Sequence, residues 1–142
     1  MPATASSPDV SSAFAYCENV VRDHDRSCWL AGLFMPRDKR PFIHALYAFA
    51  IEISRIRSIV SEPAIGEIRL QWWIDTLRGE RAGEAAANPV SSAFLETLTH
   101  NKLPAVGPIN LIEARRFDLY NDPMPTLRDL EGYCGETVSV LF

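Results

Sequence analysis

Three arginines in the middle of the chain, Arg55, Arg57 and Arg69, are the side chains best suited to chemistry. A guanidinium group keeps its charge at physiological pH, and its planar fork matches the oxygens of a phosphate or carboxylate. The three could therefore form an anion site that needs no metal. In the alternative interpretation they are solvated or paired with acids nearby in the sequence. Those acids are Glu52, Glu62 and Asp75.

Aromatic and metal-ligating side chains give weaker indications. Trp72 and Trp73 could contact a lipid or a protein partner, but adjacent helical positions point about 100° apart, so at least one should lie in the core. His24 lies in a charged run whose spacing fits no defined set of metal ligands. His44 and His100 have even less support as metal ligands. No metal site is therefore predicted.

The three cysteines are too far apart in the sequence to suggest a metal or redox motif. None has a neighbouring base at helical spacing, which argues against a catalytic nucleophile. We expect reduced thiols in a cytoplasmic protein. The residues concerned are Cys17, Cys28 and Cys134.

Composition limits the classes of function. The 142 residues are 47% hydrophobic and 23% charged, which is typical of one globular domain or part of one. A net charge of −4 gives no basic surface for nucleic acid. No run of 18 apolar residues occurs, so any membrane contact should be peripheral. Residues 1–10 are expected to be a disordered leader, and residues 11–142 a helical domain.

Prolines divide the chain into blocks of helical length, and no segment shows the alternation of a strand. We predict an all-α fold of about six helices and a loop at Ala82–Ala87. Within the second helix, the expected inner face carries Ile43, Leu46, Ala50, Ile53 and Arg57. The helices are expected at residues 11–25, from 37–41 to 60, from 63 to 79–83, at 89–100, at 106–120 and from 126 to the chain end.

Local signals mark both ends of the last helix. Thr126 with Asp129 three residues later resembles a capping box at its start. Its end, residues 138–142, is apolar to its last residue apart from Ser139. An apolar end of this kind suggests that the domain is incomplete at the C-terminus, or that the helix binds a partner or self-associates.

Several segments, in order, resemble the squalene/phytoene synthase family. Residues 33–40 resemble its Leu-Leu-Pro-x-x-x-Arg segment, residues 69–73 its Arg-Leu-x-x-Trp helix, and residues 130–134 its Leu-x-x-Tyr-Cys signature. Ser27 matches the serine of an early Ser-Phe motif, and residues 45–49 and 111–120 continue the match. The resemblance implies the N-terminal part of an all-α isoprenoid-synthase helical bundle around an apolar cavity, where two prenyl diphosphates condense.

The resemblance also implies a metal site, which this sequence lacks. The family helix carries Tyr-Ala-Phe-Cys-Arg followed by two aspartates four residues apart, which hold magnesium against the diphosphate. Here the aspartate positions are Ser54 and Ser58, an intermediate acidic position is Arg55, and the diphosphate-contacting arginine is Ile51. We therefore predict no catalytic residue, metal or cofactor. The resemblance implies substrate or anion binding at Ser27, Arg40, Tyr47, Arg55, Arg57, Arg69 and Asp118.

Residues 61–72 are similar to the first twelve positions of the thirteen-residue run Ser-Glu-x-x-x-Gly-x-x-Arg-x-Gln-x-Trp, which occurs in a family branch resembling the assembly factor of respiratory complex I. This similarity implies a catalytically degenerate assembly or binding protein, cytoplasmic or peripheral to the inner membrane. Its cavity could still accept a prenyl diphosphate or lipid. The alternative is a divergent Mg²⁺-dependent prenyltransferase of isoprenoid biosynthesis.

Overall fold

A computed structural model describes residues 6–141 of the protein, with side chains from residue 10 onward. This part of the chain contains eight α-helices and no strand, which confirms the all-α prediction. Two short 3₁₀ helices, Arg116–Leu119 and Ser139–Leu141, follow α7 and α8. The α-helices are α1 Ser6–His24, α2 Arg26–Gly32, α3 Arg40–Ile59, α4 Pro63–Leu77, α5 Ala82–Ala87, α6 Pro89–His100, α7 Val106–Arg115 and α8 Leu127–Thr137.

The first helix begins earlier than the sequence predicted, and a helix follows it that was not predicted. Residues 1–5 of the expected leader lie outside the described residues, whereas residues 6–10 belong to α1. The side chain of Asp25 accepts a hydrogen bond from the Cys28 amide at 3.1 Å. This cap starts α2 directly after α1, because it satisfies an amide that has no partner within the helix.

The predicted loop at Ala82–Ala87 is wrong, because these residues form α5. Alanine has the highest intrinsic helix propensity, and the backbone carbonyl of the buried Ala85 accepts a 2.7 Å hydrogen bond from the Ser91 hydroxyl. The preceding helix, α4, ends as predicted near Gly79. That glycine adopts a φ of 83°, a left-handed conformation that favours glycine.

The predicted helix starts at residues 63, 89 and 126 are confirmed. Pro63 and Pro89 occupy the first turns of α4 and α6, and the Asn88 side chain caps α6. Thr126 caps α8 by accepting from the Asp129 amide at 3.1 Å. The helix ends are less regular than expected, because α7 and α8 both give way to 3₁₀ turns rather than continuing.

Contacts divide the chain into two compact units. The first contains residues 6–52 and 81–103 of the described chain. Its core includes the stacked rings of Phe49 and Phe94, whose centroids lie 4.0 Å apart. A second aromatic group joins Phe14 to Phe42 edge-on and Phe42 to His100 by stacking at 4.8 Å. Helix α6 packs extensively on α1 within this unit.

The second unit contains residues 53–80 and 104–141 of the described chain. Here α4 packs against α7 and the Arg116–Leu119 turn, and α7 packs against α8. A Cβ atom at Gly66 would overlap the side chain of Leu119, so the glycine permits the close approach of α4. Trp73 is 4% exposed and belongs to this core, as predicted for one member of the tryptophan pair.

The buried face of α3 differs from the predicted inner stripe. Ile53 is buried as expected, but Ile43, Leu46 and Ala50 are only half-buried and Arg57 is exposed. The predicted stripe therefore lies to one side of the true buried face. The buried residues of α3 are His44, Ala45, Ala48, Phe49, Ile53 and Ile56.

Candidate functional site

The segment of α3 where the resemblance implies metal-binding carboxylates carries Ser54, Arg55 and Ser58. Ser54 and Ser58 are four residues apart and share one side of the helix. The Ser58 hydroxyl donates to the backbone carbonyl of Arg55 at 2.8 Å, so the helix itself uses this group. Arg55 is exposed. This segment presents two hydroxyls and a cation where magnesium would need negative oxygen ligands.

The arginines of the predicted anion site do not all face one point. Arg55 and Arg57 are separated by two positions on α3, and such residues point to nearly opposite sides of a helix. Both are exposed, as is Arg69 on α4. Of the acids considered as partners, Asp75 accepts a 2.8 Å hydrogen bond from Gln71 on its own helix.

Metal-ligating side chains do not gather in the described part of the chain. Between residues 10 and 141, no three His, Cys, Asp or Glu side chains lie close enough together to hold an ion.

Ser27 and Tyr47, both in the first unit, have different surroundings. Tyr47 is half-buried and its hydroxyl is hydrogen-bonded to the Cys28 thiol, whereas Ser27 is exposed on α2. Burial and the neighbouring thiol and Asp25 raise the pKa of Tyr47. The sequence analysis named Ser27, but not Cys28, as a site residue. Which residue of α2 contacts Tyr47 depends on the rotation of that helix about its axis, and the sequence does not give this rotation.

The two thiols of the first unit are held in their protonated forms. Burial, followed by hydrogen bonding and charge from Asp25, raises the pKa of Cys28 to about 11. Burial and the charge of Glu52 raise the pKa of Cys17 to about 12. All three cysteines are free. A thiol becomes a good nucleophile only as the thiolate, so Cys17 and Cys28 are poorly suited to that role.

The side chain of Arg40 forms hydrogen bonds with the backbone of the loop that precedes α3. Its Nε donates to the carbonyl of Met35 at 2.9 Å, and a terminal nitrogen donates to the carbonyl of Leu33 at 2.6 Å. The arginine of the Leu-Leu-Pro-x-x-x-Arg-like segment thereby satisfies two carbonyls left open after α2. This geometry gives Arg40 a structural role whether or not it also meets a ligand.

Asp118 belongs to a triad in the second unit with Arg115 and Tyr133. Arg115 donates to the Asp118 carboxylate at 3.1 Å and to the Tyr133 hydroxyl at 3.0 Å. The same hydroxyl donates to Asp118. The Arg115 guanidinium also lies 5.7 Å from the centroid of the Tyr133 ring. The triad links the C-terminal end of α7 to α8, so Asp118 acts here as a structural residue.

The triad also fixes the protonation of Tyr133. Burial, reinforced by the hydrogen bond to Asp118, raises the pKa of this tyrosine to about 12, although Arg115 acts in the opposite direction. The ring of Phe117 meets that of Tyr133 edge-on at 6.0 Å. Sequence analysis identified Asp118 and the tyrosine motif separately. The i,i+3 spacing of Arg115 and Asp118 was the only local signal for this group.

Glu67 is a second residue that sequence reasoning missed. Its carboxylate on α4 accepts from the Arg116 guanidinium and, at 2.8 Å, from the Tyr120 hydroxyl. Arg116 also donates to Glu113 at 3.2 Å. The two bonds of Glu67 attach α4 to the turn after α7. They join residues 49 and 53 positions apart, and no local pattern could have indicated them.

Helix α8 leaves apolar side chains uncovered among the described residues. Leu127 is 70% exposed and Leu130 is 42% exposed. Val138 and Val140, which follow the helix, are also exposed. None of the helices described between residues 6 and 141 combines the length and the apolar character needed to cross a bilayer.

Comparison with known proteins gives two findings. The model of the squalene/phytoene synthase family matches residues 21–142. Human NADH dehydrogenase (ubiquinone) complex I, assembly factor 6, is 27% identical over 139 residues, covering 98% of this chain and 42% of the human protein. The Drosophila melanogaster homolog of that factor is 29% identical over 137 residues, covering 89% of this chain and 39% of its own length.

An enzyme is also similar, over a shorter stretch of the chain. The 15-cis-phytoene synthase of Synechococcus elongatus is 27% identical over 128 residues, covering 88% of this chain and 40% of the enzyme. The chain thus spans about two fifths of the length of the curated relatives it matches.

Proposed function

Because this chain belongs to the squalene/phytoene synthase family, we propose that it is a member without prenyl-transfer activity that acts in the assembly of respiratory complex I. The observation that carries this proposal is the chemistry of α3. Ser54, Arg55 and Ser58 occupy the positions where the family's metal-binding acids are expected.

A simple electrostatic argument supports the absence of metal chemistry on α3. Magnesium binds through carboxylates and substrate phosphates, and it requires ligands that offset its charge. A serine hydroxyl is neutral, and a guanidinium within about 4 Å of a dication would repel it by several kcal/mol in partly exposed surroundings. The residues at all three positions, Ser54, Arg55 and Ser58, would therefore weaken magnesium binding.

The similarity to assembly factors supports the second half of the proposal. The human and Drosophila melanogaster relatives carry the name of a complex I assembly factor, and the match covers most of this chain. In this role the protein would bind a protein partner and work at the inner membrane as a peripheral protein. The exposed Leu127 and Leu130 of α8 offer an apolar surface for such a partner, or for a second copy.

A genetic experiment tests the assembly role. Deleting the gene in its source organism should reduce fully assembled complex I on native gels and reduce NADH–ubiquinone oxidoreductase activity in membranes. Re-expression of the wild type, and equally of a Ser54→Ala/Ser58→Ala variant, should restore both. Normal complex I in the deletion strain would contradict the assembly role. If the wild type restored complex I and the double variant did not, Ser54 and Ser58 would belong to a functional site.

The alternative function is a divergent Mg²⁺-dependent prenyltransferase that joins two prenyl diphosphates. Its support is the 27% identity with the 15-cis-phytoene synthase of Synechococcus elongatus, which is as high as that with the human assembly factor. Under this alternative, deletion of the gene would change the isoprenoid content of the cell and leave complex I intact.

A further inference from the structure

The turn after α2 carries Phe34, whose side chain is 91% exposed. Elsewhere between residues 10 and 141, no large apolar side chain is more than 70% exposed. A side chain exposed to this degree protrudes from the surface and does not lie in a groove. Its neighbours Leu30, Leu33 and Met35 are exposed as well. Residues 30–35 are called the Phe34 turn below.

Hydrogen bonds fix the backbone of the Phe34 turn. The amides of residues 33–35 each donate to the carbonyl three residues earlier. The side chain of Arg40 donates to the carbonyls of Leu33 and Met35. The carbonyls of residues 30–33 and 35 therefore all have partners. The ring of Phe34 is thus displayed on an ordered turn.

The same hydrogen bonds determine which medium the Phe34 turn can enter. A backbone amide or carbonyl without a partner is strongly unfavourable in lipid, because no water is present to replace the missing bond. Most of these groups in the turn already have partners within the protein. The turn can therefore enter the apolar boundary of a bilayer with little loss of hydrogen bonding.

Basic side chains border this apolar surface. Residues 30–40 contain three basic residues and one acidic residue, although the whole chain has a net charge of −4. Arg37 and Lys39 are both exposed. Leu33 and Arg37 line the same open cleft, so apolar and basic groups are neighbours there. The segment is therefore locally positive within an acidic chain.

Negative charge near the Phe34 turn does not cancel the positive charge. Asp38 belongs to the same segment, and Glu18 of α1 lines the cleft with Arg37 and Arg40. Salt limits the reach of exposed charges to about 10 Å. A surface that approaches Phe34 therefore meets the local charge of residues 30–40 and little of the net charge of the chain.

We infer that the Phe34 turn docks the protein on an anionic lipid bilayer. Phe34 inserts at the boundary between headgroups and acyl chains, while Arg37 and Lys39 contact lipid phosphates. Apolar side chains flanked by basic ones are typical of segments that bind this boundary. The inference rests on the peripheral membrane location included in the proposed function, and it names the surface and the class of lipid.

Sedimentation of the full chain with vesicles tests the docking directly. Vesicles of phosphatidylcholine and phosphatidylglycerol in equal parts should bind the protein at least about fivefold more strongly than vesicles of phosphatidylcholine alone, because each basic side chain near an anionic surface strengthens binding. About 1 M NaCl should remove this preference, since it shortens the Debye length to about 3 Å.

Two exposed apolar side chains provide a matched pair of variants. Phe34→Ser should weaken binding to the mixed vesicles at least about tenfold, because it removes the side chain that enters the apolar layer. Leu127→Ser removes an exposed apolar side chain of α8 and should leave binding unchanged. Both side chains lie at the surface, so neither substitution endangers the fold.

Two double variants test the role of charge. Arg37→Gln/Lys39→Gln should weaken binding to the mixed vesicles at least about fivefold. Arg78→Gln/Arg128→Gln removes the same charge from exposed positions outside the segment and should leave binding unchanged.

Tryptophan fluorescence separates insertion from simple adsorption. Brominated phosphatidylcholine quenches tryptophans that enter a bilayer. When it replaces the phosphatidylcholine of the mixed vesicles, the emission of Phe34→Trp should be quenched more than that of wild type, which has three tryptophans of its own. The emission of Leu127→Trp should not show this extra quenching.

Several results would overturn the inference. Wild type that binds neither vesicle, or both equally, does not dock on anionic lipid. Equal losses in Phe34→Ser and Leu127→Ser would mean that the contact is not specific to the Phe34 turn, and equal losses in the two double variants would mean that total charge is decisive. A dimer that Phe34→Ser disperses, without vesicle binding by wild type, would assign the turn to a second copy.

The vesicle tests and the gene deletion can fail separately. Absence of vesicle binding together with reduced complex I in the deletion strain would overturn the docking inference and leave the assembly role supported. Vesicle binding that requires Phe34, together with normal complex I in the deletion strain, would support the docking inference and contradict the assembly role.

Discussion

The side chains of the α7–α8 triad and the hydroxyl of Ser58, in the Ser54–Ser58 segment of α3, have different kinds of hydrogen-bond partner. In the triad, Arg115, Asp118 and Tyr133 bond to one another across α7, the 3₁₀ turn after it and α8. In the segment, Ser58 bonds to the backbone of its own helix, and Arg55 is exposed. The comparison teaches that a residue matching a family motif, such as Asp118, can hold the scaffold together, which is consistent with the proposal that the catalytic positions on α3 have changed.

The largest effect should follow from removing the acid of the triad. Asp118→Ala leaves the half-buried Arg115 without its carboxylate and Tyr133 without its acceptor, so the free energy of unfolding should fall by about 2–3 kcal/mol. Urea unfolding followed by circular dichroism measures this change. Asp129→Ala, which removes an exposed acid of the α8 cap, is the matched control and should cost about 1 kcal/mol. A loss no larger than the control's would mean that the triad contributes little.

A smaller effect is expected when only the hydroxyl is removed. Tyr133→Phe keeps the ring against Phe117 but deletes its hydrogen bonds to Asp118 and Arg115. The free energy of unfolding should fall by about 1 kcal/mol. Tyr16→Phe changes an exposed tyrosine on α1 and should have no measurable effect. An unchanged stability in Tyr133→Phe would show that the ring, rather than the hydroxyl, holds the triad together.

Tyr133 should also make the free energy of unfolding decrease as the pH rises in the alkaline range. The pKa of Tyr133 is raised to about 12 in the folded protein from its usual value near 10, so the folded state favours the protonated hydroxyl. Its contribution is complete below about pH 10 and is lost as the pH rises through 12. Wild type should therefore lose stability faster than Tyr133→Phe between about pH 10 and 12. Parallel pH profiles would contradict this assignment.

The smallest effect is expected on α3. Ser58→Ala should change the free energy of unfolding by less than about 0.5 kcal/mol, because the Ser58 hydroxyl bonds within its own helix and alanine favours helix formation. Ser54→Ala is the second variant, compared with it for magnesium dependence. Thermal unfolding with and without Mg²⁺ gives a direct readout. A magnesium-dependent rise in melting temperature that either substitution abolished would show that the serines take part in a metal site.

Local signals predicted the parts of the fold that depend on local chemistry. The prolines at 63 and 89 and the Thr126 cap mark helix starts because backbone geometry and amide capping act over a few residues. Helices α2 and α5 were missed, since one depends on the Asp25 cap inside a charged run and the other is a short alanine-rich helix.

The candidate site could be predicted only in part for a similar reason. The substitutions on α3 can be read directly from the sequence, whereas the partners of a polar side chain depend on packing. Asp118 meets Tyr133 across 15 positions, and Glu67 meets Tyr120 across 53.

The central claim is that α3 no longer supports magnesium-dependent prenyl transfer, and pyrophosphate release tests it most directly. Purified protein incubated with geranylgeranyl diphosphate and Mg²⁺ should release no more pyrophosphate than a heat-inactivated sample, while the Synechococcus elongatus phytoene synthase serves as the active control. Magnesium-dependent release by this protein that disappeared in Ser54→Ala/Ser58→Ala would contradict the account.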